Sequence, residues 1–196
     1  MLTAFTGEHV GEPRLLICLY DAPLLHVDIK FLTPDEFSQR IETPIMLLDT
    51  EDQLKNILQK TRAVFPYPDY QWIEDRFWTW IHYALLKTGR GEYFEAVDFL
   101  GFLRMSVLGP LLHIKNGNLP KGVRKVEMQL DPQDFTVLKS TLPSYKRASI
   151  LHALNNAVNL YRALRKELFD EKTTLHLLAE ERVMKYFSLI NENKTA

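Results

Sequence analysis

The chain has 196 residues, 46% of them hydrophobic and 11% aromatic, and its 24 Lys and Arg are balanced by 25 Asp and Glu to a formal charge of −1. That length can bury a sizeable core as one domain or two small ones, and the balanced charge argues against a chain built mainly to coat nucleic acid or anionic lipid. The single cysteine, Cys18, has no internal disulfide partner, which points to a reducing compartment; with no apolar run of membrane-spanning length and no leader-like N-terminus, the expectation is a cytoplasmic protein.

From Met1 to Pro13, punctuated by Gly7, Gly11 and Pro13, no element is assigned. Arg14 to Tyr20 and Leu24 to Leu32 are short apolar runs joined by Asp21-Ala22-Pro23, the pattern of a β-hairpin. In the second run Leu25, Val27, Ile29 and Phe31 share one face, while Leu24, His26, Asp28 and Lys30 share the other. An aspartate in mid-strand is disfavoured by propensity, so either Asp28 lies on a solvated face and pairs with Lys30 or a neighbouring strand, or it has a functional reason to be there. Thr33-Pro34-Asp35-Glu36 is a helix start. Pro44 to Leu48 reads as a third strand, and Thr50 opens a helix through about Gln59. The order β-β-α-β-α predicts a small mixed sheet.

Phe65-Pro66-Tyr67-Pro68 interrupts this pattern, so the boundary falls between Thr61 and Pro68, giving a small α/β segment over 1–62 and a helical bundle over 63–196. The fold class is α+β. Beyond a central helical pair, a short helix is expected over Val123 to Gln129, and Asp131-Pro132 caps another that ends at Pro143. The longest helix starts at Ser144 and packs through Ile150, Leu154, Val158, Tyr161, Leu164 and Leu168. A last helix, about Thr174 to Ile190, carries Leu177, Leu178, Val183, Tyr186, Phe187 and Ile190, with an acidic start at Glu180-Glu181 and a polar tail fraying into solvent.

The central pair, Arg76 to Arg104, holds the candidate chemistry. At 100° per residue Arg76, Trp80, Tyr83, Lys87 and Arg90 fall on one face of its first helix, and Phe77, Ile81, Ala84 and Leu85 on the packing face. In the second helix Phe94, Val97, Leu100, Leu103, Val107, Leu108 and Leu111 cover most of the circumference, leaving a polar strip at Glu95 and Asp98, as in a largely buried helix. Arg104 lies among these apolar residues and needs a carboxylate, a phosphate or carbonyl oxygens; an internal ion pair bracing the bundle is the plain structural alternative. No Walker loop, GxGxxG, CxxC, HExxH or GxSxG occurs, and the histidines lack metal-ligand spacing.

LLHVDIKFL, followed by FWTWIHYALLKTGRGEYFEAVDFLGFLRMSVLGPLL, resembles the antibiotic-nucleotidyltransferase-like branch of the polymerase-β-type nucleotidyltransferases, which includes aminoglycoside and lincosamide nucleotidyltransferases. The resemblance runs from about Thr6 to Arg165, and the aromatic-rich helix ending in K-x-x-R-G-E is its most specific part. It implies a mixed sheet whose carboxylates hold two Mg²⁺ ions, and a helical bundle that shapes an acceptor pocket. The acceptor hydroxyl then attacks the α-phosphate of a nucleoside triphosphate. Asp28 matches the third metal-binding carboxylate. Glu92 becomes an acceptor-side carboxylate or base, Lys87 and Arg90 face the triphosphate, Trp80 and Tyr83 wall the pocket, and Arg104 joins the substrate-binding set.

One departure is large. The residues before Arg14 contain Gly7-Glu8-His9 and Gly11-Glu12, but neither the Gly-Ser nor the D-x-D of the superfamily. A lone Asp28 cannot organise two Mg²⁺ ions, so this polypeptide is expected to be inactive alone and to bind Mg-nucleotide weakly or not at all. Three expectations stand side by side: the C-terminal remainder of a nucleotidyltransferase, an acceptor-binding or regulatory module acting with a partner chain, and a purely structural bundle. Unpaired sheet edges would favour a homodimer or larger assembly.

Overall fold

The computed structural model describes residues 1–192. Two compact units divide after Pro66. In the first, β1 (Thr3–Gly7), β2 (Glu12–Tyr20) and β3 (Leu25–Lys30) form a three-stranded sheet in that order. Both pairings are antiparallel, with Ala4 opposite Cys18 and Cys18 opposite Val27. The expected hairpin is therefore β2–β3. β1 is an addition: its turn into β2 is a single 3₁₀ turn, Glu8–Val10, closed by Gly11 in the left-handed region at φ 73°.

The mixed sheet expected from the sequence is thus corrected to a wholly antiparallel one. Pro44 to Leu48 forms no strand; it is irregular, with Ile45 88% and Leu47 93% exposed. The physical reason is that the strands here are joined by tight turns, which make antiparallel pairs, whereas a parallel pair needs a long crossover. Pro44 also removes a donor from that segment.

α1 (Pro34–Ser38) begins with a reciprocal capping box: the Glu36 N–H donates to Thr33 Oγ1 at 3.3 Å and the Thr33 N–H to Glu36 Oε2 at 2.8 Å. The Arg14 guanidinium on β2 grips the same carboxylate, and these bonds hold Glu36 at about 2, below the usual carboxylate range. α2 (Gln53–Lys60) follows, and Arg40 ties its end by donating to Thr61 Oγ1 and Thr61 O at 2.6 and 2.8 Å. Of the apolar side chains through Pro66, Cys18 alone is buried; Phe5, Leu25, Phe31 and Leu48 are exposed.

The second unit is an all-helical bundle. α3 (Tyr70–Gly89) packs against α4 (Tyr93–Leu103), α8 (Arg147–Leu168) and α9 (Leu177–Glu192). Asp69 caps α3 by accepting from the Trp72 N–H at 3.1 Å. Its predicted packing face, Phe77, Ile81, Ala84 and Leu85, is buried, and Phe77 stacks on Tyr161 of α8 with ring centroids 3.6 Å apart. Between them run α5 (Gly109–Lys115), α6 (Val126–Gln129) and α7 (Pro132–Lys139).

α4 and α5 are one helical path interrupted by a π turn, Arg104–Leu108, in which the Gly109 N–H bonds to Arg104 O. Before this turn the helix is half open, with Phe94 72% exposed, so the buried-all-round expectation is corrected there; from Val107 to His113 every residue is buried. Tyr93–Lys115 is, among the described residues, the one helix long and apolar enough to cross a membrane, with mean hydropathy 1.4, and half of its most apolar window lies inside the bundle. The expectation that no run reaches that length is corrected accordingly: Tyr93–Lys115 passes by length and composition, as the core helix of a bundle also can. α9 keeps the later part of its stripe, with Val183 buried and Tyr186, Phe187 and Ile190 packed partly buried on the core, whereas Leu177 and Leu178 are exposed.

Candidate functional site

The joint between α3 and α4 gathers most of the predicted residues. α3 ends when the Arg90 N–H closes on Leu86 O at 3.1 Å, Gly91 turns the chain at φ 79°, and the Glu92 N–H returns to Lys87 O at 3.0 Å. That tight return sets Glu92 beside Lys87. Tyr83 lies one turn before Lys87 on the same face, and Glu95 lies in the first turn of α4. Lys87 Nζ therefore reaches Glu92 Oε2 at 2.6 Å and Glu95 Oε2 at 2.7 Å, and the Tyr83 hydroxyl donates to Glu95 Oε2 at 2.8 Å. Arg90 is exposed and only 3.9 Å from Glu92 Oε1.

The electrostatics follow from this geometry. Hydrogen bonds to Glu92 and then Glu95 raise the Lys87 ammonium above its ordinary value, and Lys87 and Tyr83 lower Glu95 in return. The bond to Glu95 raises the Tyr83 phenol. Lys87, its side chain only 15% exposed, is fully engaged by carboxylates. It acts here as a clamp on two acids, whereas Arg90 retains donors for an incoming anion.

Trp80 and Tyr83 join through residues that the single-helix face did not include. Trp80 meets Trp72 and Phe102 edge-on at 5.4 and 5.1 Å, Phe102 meets Phe99 at 5.3 Å, and Phe99 meets Tyr83 at 4.9 Å. An aromatic row thus leads along α3 and α4 to the Lys87 clamp, with the Arg76 guanidinium 4.5 Å from the Trp72 ring at its far end. Glu95, Phe99 and Phe102 were missed as site residues. Glu92 and Glu95 at i, i+3 are the available signal, because that spacing stacks two carboxylates on one side of a helix.

Asp28 belongs to the other unit. It lies on β3 opposite Ile17, its side chain is 54% exposed, and it faces His26 at 2.9 Å, an ion pair whenever His26 is protonated. Lys30 pairs instead with Glu12 at 2.8 Å. The donor set does not fit a pair of Mg²⁺ ions: Asp28 is an exposed carboxylate engaged by His26, and among the described residues no three His, Cys, Asp or Glu converge as metal ligands.

Arg104 takes the carbonyl option, donating from Nη1 to Thr141 O at 2.8 Å. It is half-buried, burial lowers its pKa, and it lines a separate cavity of about 290 Å³ with Val123, Val126, Phe135, Leu138 and Leu142. No hydrogen bond or ion pair joins it to the Lys87 group among the described residues.

A buried polar cluster elsewhere in the bundle was not anticipated. Glu74 is fully buried and accepts from the Tyr161 hydroxyl, from Trp78 Nε1 at 3.2 Å, from the His176 N–H at 2.9 Å and from Arg165 Nη1 at 3.2 Å. Arg165 and Arg162 continue to Glu180 at 2.9 and 2.7 Å, so of the acidic start Glu180 anchors α9, while Glu181 is exposed. Burial pushes Glu74 upward, but the bonds from Tyr161 and His176 and the Arg165 charge outweigh it and hold the carboxyl below its ordinary value. With every lone pair engaged inside the core, this cluster holds three helices together.

Neither the protein-family models nor the curated proteins contain a match to this chain.

Proposed function

We propose that this chain is the acceptor-binding half of a nucleotidyl-transfer system. In that reaction a hydroxyl oxygen of a small acceptor attacks the α-phosphorus of a nucleoside triphosphate, the bond to the β-phosphate bridging oxygen breaks, and pyrophosphate leaves. The hydroxyl proton passes to a carboxylate. The observation that carries the proposal is the joint itself, where Tyr83, Lys87, Glu92 and Glu95 form one group on the K-x-x-R-G-E corner. Lys87 holds both acids in place and lowers Glu95, so that an acceptor-side carboxylate is oriented beside a fixed cation. Arg90 is the cation left for phosphate oxygens. The row through Trp80 and Tyr83 offers flat apolar faces for a sugar or a base.

Mg²⁺ belongs to an assembled form alone, in which carboxylates beyond those of this chain would hold it. The partners are a nucleoside triphosphate and a small hydroxylated acceptor in a cytoplasmic setting, without membrane or nucleic acid. The chain alone is expected to release no pyrophosphate and to show no saturable Mg-ATP binding below about 1 mM. Titration with glucosamine should shift the amide resonances of residues 83–95, and Glu92→Gln with Glu95→Gln should abolish those shifts. A micromolar Kd for Mg-ATP, turnover by the chain alone, or glucosamine shifts unaffected by the double substitution would each refute the proposal.

A second reading, a non-catalytic acceptor-binding or regulatory module acting with a partner chain or a second copy, is favoured by the sheet. The outer edges of β1 and β3 have no strand partner among the described residues, and Leu25 and Phe31 are exposed. Light scattering that reports a concentration-independent monomer would remove the homodimer from this reading.

A further inference from the structure

The cavity beside the π turn combines a half-buried cation with apolar walls. Arg104 is the first residue of the turn, and its position is set by backbone on both sides: the Gly109 N–H bonds to Arg104 O, and a Cβ at Gly109 would lie 2.4 Å from Gly122 O. The loop carrying Val123 therefore rests directly on the turn. Such turns are uncommon in helices and recur at functional positions. Thr141 O occupies one guanidinium nitrogen, and no ion pair engages the others among the described residues. A half-buried guanidinium with donors to spare gains from a matching anion.

We propose that this cavity binds a small organic carboxylate with an apolar body. The carboxylate accepts from the Arg104 donors that Thr141 does not use, and the hydrocarbon lies against Val123, Val126, Phe135, Leu138 and Leu142. The volume of about 290 Å³ is at the lower edge of the ~300–1,000 Å³ range typical of ligand pockets, which selects a small acid. Charge selects a monoanion: Glu127 and Lys139, which also line the cavity, offset one another and leave the single Arg104 charge to be balanced. A phosphate dianion would exceed it. The site uses none of Tyr83, Lys87, Glu92 or Glu95 and stands independently of the nucleotidyl-transfer proposal.

The test is titration of the full chain with hexanoate and phenylacetate, each against its neutral alcohol and against hexyl phosphate, followed by methyl and amide NMR. The carboxylates should give saturable shifts at Val123, Val126 and Leu138, and the alcohols should bind at least about tenfold more weakly. Arg104→Met should lower carboxylate affinity by about tenfold or more. Should that variant fail to fold, Leu142→Trp, which keeps Arg104 and fills the cavity from an exposed position, should abolish the shifts. The proposal is overturned by acid and alcohol binding equally, by no saturation at about 10 mM acid, or by tighter binding of hexyl phosphate. It is equally overturned by unchanged affinity in Arg104→Met or by shifts that survive Leu142→Trp.

Discussion

Glu74 gathers donors from α3, α8 and the strand of chain entering α9, so its removal strands several partners at once. Glu74→Ala leaves the Arg165 charge with Glu180 alone and the Tyr161 hydroxyl without an acceptor in the core. The expected loss is about 3–5 kcal/mol of unfolding free energy, the range for breaking a buried ion pair from one side; urea denaturation measures it. Tyr161→Phe should cost about 1 kcal/mol, and the double variant should fall short of the sum because both act on one carboxylate. This cluster was invisible in the sequence for a simple reason. Tyr161 fits its helix stripe as an apolar ring, and Glu74 lies 87 residues away from it. By contrast, the need of Arg104 for oxygen ligands was legible, because a guanidinium set among Leu100, Val107 and Leu108 must be satisfied by something. Which oxygen it found was not.

His113 makes a pH prediction at the same scale. It is fully buried, its Nε2 lies 3.1 Å from Arg124 O and Nδ1 has no partner, so Nε2 carries the proton and the ring is neutral. Burial pushes its pKa down, and the Arg124 carbonyl only partly opposes this. The unfolded chain, with an ordinary value of about 6.5, therefore binds the proton more readily. Stability attributable to this residue is present above about pH 6.5 and is lost as pH falls through the lower folded value. His113→Met should flatten that acid limb; an unchanged slope in urea-unfolding free energy against pH would contradict the assignment.

At the scale of elements, two helical glycines separate backbone contact from side-chain contact. A Cβ at Gly109 would meet Gly122 O at 2.4 Å and Arg104 O at 2.8 Å, both backbone atoms, whereas a Cβ at Gly89 meets the tip of Ile190 at 2.8 Å. Gly109→Ala should cost about 1–3 kcal/mol because neither backbone can yield cheaply. Gly89→Ala should be neutral, or stabilising by up to about 1 kcal/mol, since an isoleucine tip rotates away and helix propensity improves. Thermal unfolding of the two variants distinguishes them. The elements themselves were legible where the period was strong. The stripe of α8 and the packing face of α3 follow from spacing alone, and the Thr33-Pro34-Asp35-Glu36 start is a capping box. The strand expected at Pro44 to Leu48 failed because a short apolar run says nothing about whether an edge is available to pair with it. β1 was missed for the opposite reason: Thr3–Gly7 is weakly apolar and becomes a strand through β2. The corner at Lys87 was half legible, since helical spacing placed Tyr83 and Lys87 together but could not show which acids the turn at Gly91 would return.

On the scale of the molecule, the two units differ in how they are held. The bundle has a continuous core from Ile73 to Val183. The sheet unit rests on backbone pairing and a few surface ion pairs, Arg14–Glu36 and Lys30–Glu12 among them, which contribute little in water. A three-stranded sheet with so little enclosed apolar surface is marginal by itself. Its opening should therefore require less free energy than unfolding of the helices.

The distribution of two rare amino acids makes that difference directly measurable. The one sulfhydryl of the chain, Cys18, is enclosed on β2, the middle strand of the sheet, while all three indoles, Trp72, Trp78 and Trp80, lie on α3. Alkylation thus times the sheet and fluorescence times the bundle, with no label introduced. In rising urea the thiol should become reactive before the emission changes; coincident midpoints would mean that the two halves melt as one.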